Sequence, residues 1–124
     1  MSTFSPDVLS AIAKNEDLFV SPFREDGTTY CTPTQTWALI VGDTVYVRAA
    51  NGQDSRWYQA AITQKAGRIR VNGQYYEAHF AAAGTTDEAA IDAAYEAKYP
   101  GSSAVPIMQG AAPKSASVRI TPSE

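Results

Sequence analysis

The residues of this sequence whose types and spacing could perform chemistry lie in one stretch, VYVRAANGQDSRWYQAAITQ, at positions 45–64. A β-favouring run that contains Arg48 leads into a turn at Asn51, and Asp54 or Ser55 can cap a helix whose first turn carries Arg56. The start of a helix leaves backbone N–H groups free, and the helix dipole adds positive charge there. Because Arg48 from the strand could meet Arg56 from the helix over the same oxygen atoms, the stretch predicts a phosphate-type anion site.

The same spacing also fits a solvated turn in which the two arginines are only surface ion-pair partners. In that interpretation Arg48 and Arg56 pair with Asp54 and with glutamates elsewhere, and each pair contributes at most about 1 kcal/mol. The residues alone leave both interpretations open.

The sequence contains no recognisable set of catalytic or metal-binding side chains. It has one cysteine, Cys31, and one histidine, His79, and it has neither an HExxH nor a CxxC spacing. Cys31 lies in a strand-like segment without a neighbouring histidine, so we interpret it as a packing residue. No serine, cysteine or second carboxylate stands at a catalytic spacing from His79. We therefore predict no catalytic side chain and no metal.

Composition and charge define the class of the protein and exclude several kinds of partner. Of the 124 residues, 44% are apolar and 19% are charged, so we expect one globular domain over residues 1–124. A net charge of −3 and a pI of about 5.1 argue against a nucleic-acid-binding protein, because phosphate neutralisation supplies most of such affinity. No apolar run approaches the roughly 20 residues of a membrane helix, and no signal-like pattern begins the sequence. We expect a soluble cytoplasmic protein that does not bind membranes.

The hydrophobic patterns that must position the anion site predict a mainly β, α+β fold with six antiparallel strands and about three helices. The predicted strands are 18–24, 28–41, 44–49, 68–71, 74–82 and 116–121, and the predicted helices are about 6–14, 56–66 and 85–99. Pro22 should place the first strand at an edge of the sheet. The Asn72-Gly73 pair favours a type I′ hairpin because both of its positions need positive φ.

Two details of the helices follow from the same patterns. Gly67 should stop the second helix, and Thr85 with Glu88 has capping-box spacing at the start of the third. Glu88, Asp92 and Glu96 share one face of that third helix. We predict that this face is solvated, because like charges four residues apart repel one another.

The order of these elements resembles the split β-barrel of small flavin-binding proteins, in the pyridoxamine-phosphate-oxidase-like superfamily. The resemblance is greatest to the FMN and deazaflavin nitroreductase-like members, whose third strand leads through a Gly-containing loop into a Trp-Tyr helix and a basic β-hairpin. The matching stretch here is VYVRAANGQDSRWYQAAITQKAGRIRVNGQYY, at 45–76. The segments GTTYCTPTQTW and AYEAKYPG also resemble small bacterial members known only as a domain of unknown function. The resemblance covers most of the chain and implies a six-stranded antiparallel split β-barrel.

The same resemblance implies a place for a cofactor, either FMN or the deazaflavin coenzyme. Its phosphate would bind at the loop and helix start, and its ring system would lie along the second and third strands. The residues so implied are Arg48, Asn51, Ser55 and Arg56 at the phosphate, Trp57 in the helix start, and Thr32, Thr34 and Thr36 beside the ring.

By resemblance, the expected function is that of a flavin-binding oxidoreductase that transfers hydride or electrons to a small molecule, with the cofactor supplying the chemistry. Two alternatives remain open. One is a non-enzymatic module that binds another anionic ligand, and the other is a dimeric scaffold without a ligand. The resemblance also implies a two-fold homodimer, which would bury Tyr46, Tyr75 and Tyr76.

Overall fold

Seven β-strands and four α-helices make up the described part of the chain. The computed structural model describes residues 4–14, 18–42, 44–49, 52–83, 88–99, 101, 105–110, 113 and 115–122. In chain order the elements are α1 Pro6–Lys14, β1 Leu18–Pro22, β2 Thr34–Thr36, β3 Leu39–Val41, β4 Thr44–Arg48, a 3-10 turn Gly52–Asp54, α2 Arg56–Gln64, β5 Ala66–Val71, β6 Gln74–Ala82, α3 Glu88–Lys98, α4 Val105–Met108 and β7 Ser117–Pro122. The predicted α+β class is confirmed, with seven strands and four helices in place of six and three.

The seven strands form one antiparallel sheet that curls on itself. Its strand order is β2-β1-β5-β6-β7-β4-β3, and the two edge strands are separated in sequence only by Trp37 and Ala38. Three peptide units span at most about 11 Å. In a flat sheet of this order the same edges would lie about 29 Å apart. The sheet therefore curls into a half-barrel, and the chain at Trp37 and Ala38 crosses its open side.

The single predicted strand over residues 28–41 is wrong. The structure divides it into β2 and β3, which lie at opposite edges of the sheet, and residues 24–33 form a loop instead. Pro33 has no N–H to donate to a ladder and immediately precedes β2. Pro22 is not on an edge strand either, because β1 lies between β2 and β5 and Pro22 is its last residue, opposite Gly67.

Helix α2 ends at Gln64, two residues before the end that a stop at Gly67 would give. Lys65 takes the left-handed conformation, with φ of 62°, and its N–H donates to the carbonyl oxygen of Ala61. Gly67 lies in β5, where an added Cβ atom would come within 2.4 Å of the carbonyl oxygen of Ser21. The predicted stop at Gly67 is wrong, because this glycine permits close contact between β1 and β5.

The hairpin between β5 and β6 is confirmed. Asn72 and Gly73 have φ values of 52° and 77°, as a type I′ turn requires. Ile69 and Val71 are buried on the inner face of the sheet, whereas Arg70 between them is exposed.

Two groups of buried apolar side chains hold the elements together. The larger group joins the inner face of the sheet to α1 and α2, through residues that include Ile12 and Ala61. The smaller group joins Leu39 of β3 and Tyr46 of β4 to α3 and α4, where Tyr95 is central. Tyr46 is only 3% exposed within one chain. The prediction that Tyr46 needs a second subunit to cover it is therefore wrong.

Candidate functional site

A cleft of about 710 Å³ lies between helix α2 and the loop that follows β1. The helical wall consists of Arg56, Gln59, Ala60, Thr63 and Gln64. These residues share one face of α2 because they are three or four positions apart. The other face packs on the core through Trp57, Tyr58, Ala61 and Ile62. The amphipathic pattern of α2 thus fixes its apolar side on the sheet and leaves a polar side to line the cleft.

The opposite wall is formed by the loop after β1. It contributes Phe23, Arg24, Glu25, Asp26 and Cys31. The N–H of Arg24 donates to the carbonyl oxygen of Thr29 at 2.7 Å, and the N–H of Gly27 donates to that of Arg24 at 2.8 Å. These bonds close a tight turn, so this wall has a defined shape although it contains no helix or strand.

Asp26 is bound to its own loop. Its carboxylate accepts hydrogen bonds from the N–H groups of Thr28 and Thr29, at 2.9 and 2.8 Å, and from the hydroxyl of Thr29 at 2.5 Å. The hydroxyl and N–H of Thr29, followed by the N–H of Thr28, lower the pKa of Asp26 from 3.8 to about 2. Both carboxylate oxygens are therefore occupied within the turn.

Two arginines face the cleft from its two walls. Arg24 and Arg56 are both exposed, and among the described residues neither forms an ion pair. The lining also contains two carboxylates, Glu25 and Asp26, of which Asp26 accepts hydrogen bonds from its own turn. A guanidinium presents five N–H donors in a fork that matches a phosphate or carboxylate. Arg24 and Arg56 thus supply the cationic side chains in the lining of the cleft.

The start of α2 adds further donors beside Arg56. Ser55 is the N-cap residue in an extended conformation, with φ of −62° and ψ of 132°, and its side chain makes no capping hydrogen bond. Its carbonyl oxygen accepts the N–H of Gln59 at 3.0 Å, which begins the helical ladder. The first N–H groups of a helix lack intrahelical partners and carry the positive end of its dipole. Arg56, the first residue of α2, lies in the wall of the cleft, whereas Ser55 is not among the lining residues.

Arg48 lies in a different part of the molecule, and the predicted meeting of Arg48 with Arg56 does not occur. The side chain of Arg48 is completely buried. Its Nε donates to the hydroxyl of Ser117 at 3.0 Å, and its Nη1 donates to Asp92 Oδ1 at 2.5 Å and to the carbonyl oxygen of Met108 at 3.1 Å. Arg48 therefore joins β4 to β7, α3 and α4.

We call Arg48, Asp92, Tyr95 and Ser117 the buried arginine cluster. The guanidinium carbon of Arg48 lies 5.6 Å from the centre of the Tyr95 ring. Burial raises the pKa of the Tyr95 hydroxyl, which therefore stays neutral beside the cation. The prediction that the acidic face of α3 is fully solvated is wrong for Asp92, because its carboxylate pairs with Arg48.

The remaining residues that the resemblance implied are spread over the surface and the core. Thr32 is exposed and Thr34 is half-buried, whereas the buried Thr36 donates its hydroxyl to the carbonyl oxygen of Leu18 at 2.7 Å. Trp57 is half-buried against the core, and its ring meets Tyr58 edge-on at 6.4 Å. Asn51 and the predicted capping residue Thr85 lie outside the described residues.

The helical wall of the cleft was predicted only in part. Arg56 was predicted, but Gln59 and Thr63 of the same wall and Arg24 of the opposite wall were not. The helical spacing of Arg56, Gln59 and Thr63 carried a usable signal, since it marks the face of α2 opposite its apolar residues. Arg24 gave no such signal, because the loop after β1 was assigned in part to a strand.

Residues 8–120 match the model of a protein family described as uncharacterized proteins conserved in bacteria, DUF2255. The chain belongs to the DUF2255 family. The predicted resemblance to a bacterial domain of unknown function is thereby confirmed, and the family description adds no activity. The comparison with curated proteins found no match. Among the residues that the structure describes, no helix of this DUF2255 protein is long and apolar enough to cross a membrane.

Proposed function

We propose that this DUF2255 protein binds a phosphate-bearing flavin, FMN or the deazaflavin coenzyme, in the cleft beside α2, and acts as an oxidoreductase on a small molecule. One observation carries the proposal: Arg24 and Arg56 face one cleft from two different elements without ion-pair partners among the described residues. The cleft volume of about 710 Å³ falls within the range of about 300–1,000 Å³ that is typical of small-molecule sites.

The cleft residues fit a flavin nucleotide if its phosphate is held differently from the arrangement implied by resemblance. Arg48 cannot serve as a phosphate ligand while its donors are bound to Ser117, Asp92 and Met108. Arg24, Arg56 and the start of α2 supply charge-assisted donors in its place.

The ring system of a flavin needs an apolar contact and hydrogen-bonding groups at its polar edge. Phe23 lines the cleft and stacks on Tyr30, with ring centres 4.9 Å apart. Gln59, Thr63 and Gln64 offer amide and hydroxyl groups along the opposite wall. The two walls could therefore hold a planar, polar-edged ligand.

A bound flavin supplies hydride transfer, so the protein needs no catalytic side chain of its own. The tasks of this chain are then to bind the phosphate through Arg24 and Arg56 and to hold the ligand against α2. Asp26 keeps its negative charge within its own turn.

A second candidate function is a non-enzymatic module that binds another anionic ligand in the same cleft. The exposure of both arginines favours this alternative, because an exposed anion site is accessible to a simple phosphate or carboxylate. The proposal also includes a homodimer and a cytoplasmic location, with which the single unpaired thiol of Cys31 is compatible.

The proposal is tested by the visible absorption spectrum of the purified protein, followed by titration with FMN and with the deazaflavin. We expect a dissociation constant in the micromolar range or below. Arg56→Ala should weaken binding about ten- to a hundredfold, because a charge-assisted hydrogen bond contributes about 1.5–3 kcal/mol. The matched control is Arg119→Ala, which removes an equal charge from an exposed position on β7 outside the cleft.

A colourless protein that binds neither flavin at micromolar concentration would contradict the flavin proposal. If that protein binds inorganic phosphate and loses it in Arg56→Ala, the binding-module alternative is correct.

A further inference from the structure

A stack of aromatic rings and guanidinium groups covers the outer face of β1, β5 and β6. Arg68 lies between two rings, with its guanidinium carbon 4.0 Å from the centre of Tyr30 and 4.2 Å from that of Tyr75. Arg70 lies 5.3 Å from the ring centre of Phe19 and 5.9 Å from that of Tyr75. With Glu77, which is opposite Arg68 on β6, these residues form what we call the stacked face.

The polar and apolar groups of the stacked face are only partly used within one chain. Tyr75 is 50% exposed, and Arg68 Nε is buried without a hydrogen-bond partner among the described residues. Arg68 and Glu77 are directly opposite one another but do not form an ion pair. The hydroxyl of Tyr30 lies within hydrogen-bond distance of both carboxylate oxygens of Glu77, at 2.8 and 2.7 Å, and a carboxylate retains further acceptor positions beside this one donor.

The register of the hairpin makes this face complementary to itself. Arg68 on β5 is opposite Glu77 on β6, and Arg70 is opposite Tyr75. Consider a two-fold axis that lies over the face, parallel to the strands and midway between β5 and β6. Rotation by half a turn lays each β5 position on its β6 counterpart of the other copy. Each cationic residue then meets its acidic or aromatic counterpart across the interface.

We propose that the stacked face is a two-fold interface with a second copy of this chain, in which Arg68 pairs with Glu77 of the second copy and Arg70 packs on Tyr75 of the second copy. Interfaces of this isologous type use the same patch on both subunits, and aromatic and arginine residues are enriched in them. Tyr75 is 50% exposed, and the part of its ring that is exposed then receives a cation of the second copy.

The mixed charges of the stacked face favour binding of a second copy of this chain over binding of a partner whose surface is uniformly acidic or uniformly basic. Two arginines and one glutamate lie within two neighbouring strands, and an acidic partner would meet Glu77 as a like charge. The interface does not rest on the proposed flavin binding, because no residue of the stacked face lines the cleft. Loss of the dimer and loss of ligand binding can therefore be observed separately.

The test is a charge-exchange experiment, measured by sedimentation velocity over a range of protein concentrations. Arg68→Glu and Glu77→Arg each place like charges opposite one another at both symmetry-related contacts, so each variant alone should raise the dimer dissociation constant at least about tenfold. An equimolar mixture of the two variants should form a heterodimer, because opposite charges then meet at both contacts. The control Lys14→Glu makes the same charge change at an exposed position on α1 and should remain dimeric.

Far-UV circular dichroism verifies that the variants fold. If Arg68→Glu does not fold, Arg70→Glu at the neighbouring exposed position should also weaken the dimer, because it removes the cation from Tyr75. A monomeric wild-type protein, a dimer that neither single variant weakens, or a mixture that stays monomeric would each overturn the proposal.

Discussion

Arg48 and Arg56 are eight positions apart in the sequence, yet the structure gives them opposite environments. Arg48 is buried, and its donors are bound to Ser117, Asp92 and a main-chain carbonyl. Arg56 is exposed at the edge of a cleft and has no ion-pair partner among the described residues. The difference follows from the elements that carry them, since β4 is covered by α3 and α4 whereas the polar face of α2 is open.

The two regions also use their aspartates differently. In the buried arginine cluster the carboxylate of Asp92 pairs with Arg48. In the cleft the carboxylate of Asp26 is held by the N–H groups and hydroxyl of its own turn. Arg56 has no ion-pair partner among the described residues, whereas the guanidinium of Arg48 pairs with Asp92. Arg48 therefore has a structural role, and the binding role of Arg56 is the one proposed above.

The largest effect that would test this comparison is expected at Arg48. Arg48→Ala should lower the free energy of unfolding by about 3–5 kcal/mol, because it removes the cation that pairs with Asp92 and the donors to several buried acceptors. Urea denaturation at neutral pH measures the change. Arg56→Ala is the control and should stay within about 0.5 kcal/mol of the wild type. Equal stabilities of the two variants would contradict the comparison.

A smaller difference is expected between the two serines of these regions. Ser117→Ala removes the acceptor of the buried Arg48 Nε and should cost about 1.5–3 kcal/mol of unfolding free energy. Ser55→Ala removes a hydroxyl that makes no capping bond and should cost less than about 0.5 kcal/mol. The same denaturation experiment measures both variants. A larger loss of unfolding free energy for Ser55→Ala than for Ser117→Ala would contradict the structural role of the buried arginine cluster.

The smallest effect concerns the acid of the cleft. Because the pKa of Asp26 is lowered from 3.8 to about 2, its turn contributes stability above the unfolded pKa, and this contribution is lost as pH falls through about 2. Thr29→Val should raise the Asp26 pKa toward its ordinary value, because it removes the largest cause of the shift. NMR titration of the carboxyl carbon measures both values. Thr28→Val, which keeps the more important N–H donor, should shift the pKa less.

Much of the fold could be predicted from local patterns. The turn at Asn72 and Gly73, the amphipathic face of α2 and the strand around Tyr46 all depend on residues close in sequence. The division of residues 28–41 into two edge strands could not be predicted, because it depends on the curl of the whole sheet. The role of Gly67 was missed for a related reason, since its contact is with β1 and not with its own helix.

The candidate site was predicted only where its residues share one element. Ser55 and Arg56 lie at the start of α2, as the capping pattern indicated. The direction of the Arg48 side chain is set by Asp92 and Ser117, which are distant in the sequence. Spacing between Arg48 and Arg56 therefore carried no information about their separation in the structure.

The most direct test of the two roles is a double-mutant cycle on FMN affinity, measured by calorimetric titration with Arg48→Lys, Arg56→Ala and the double variant. Lysine keeps a positive charge near Asp92, so the fold should survive for the measurement. We expect Arg56→Ala to weaken FMN binding about ten- to a hundredfold, and Arg48→Lys to change the affinity less than about twofold. The coupling energy between the two substitutions should be within about 0.5 kcal/mol of zero. A coupling above about 1 kcal/mol would show that both arginines contact one phosphate, and would contradict the separation of the buried arginine cluster from the cleft.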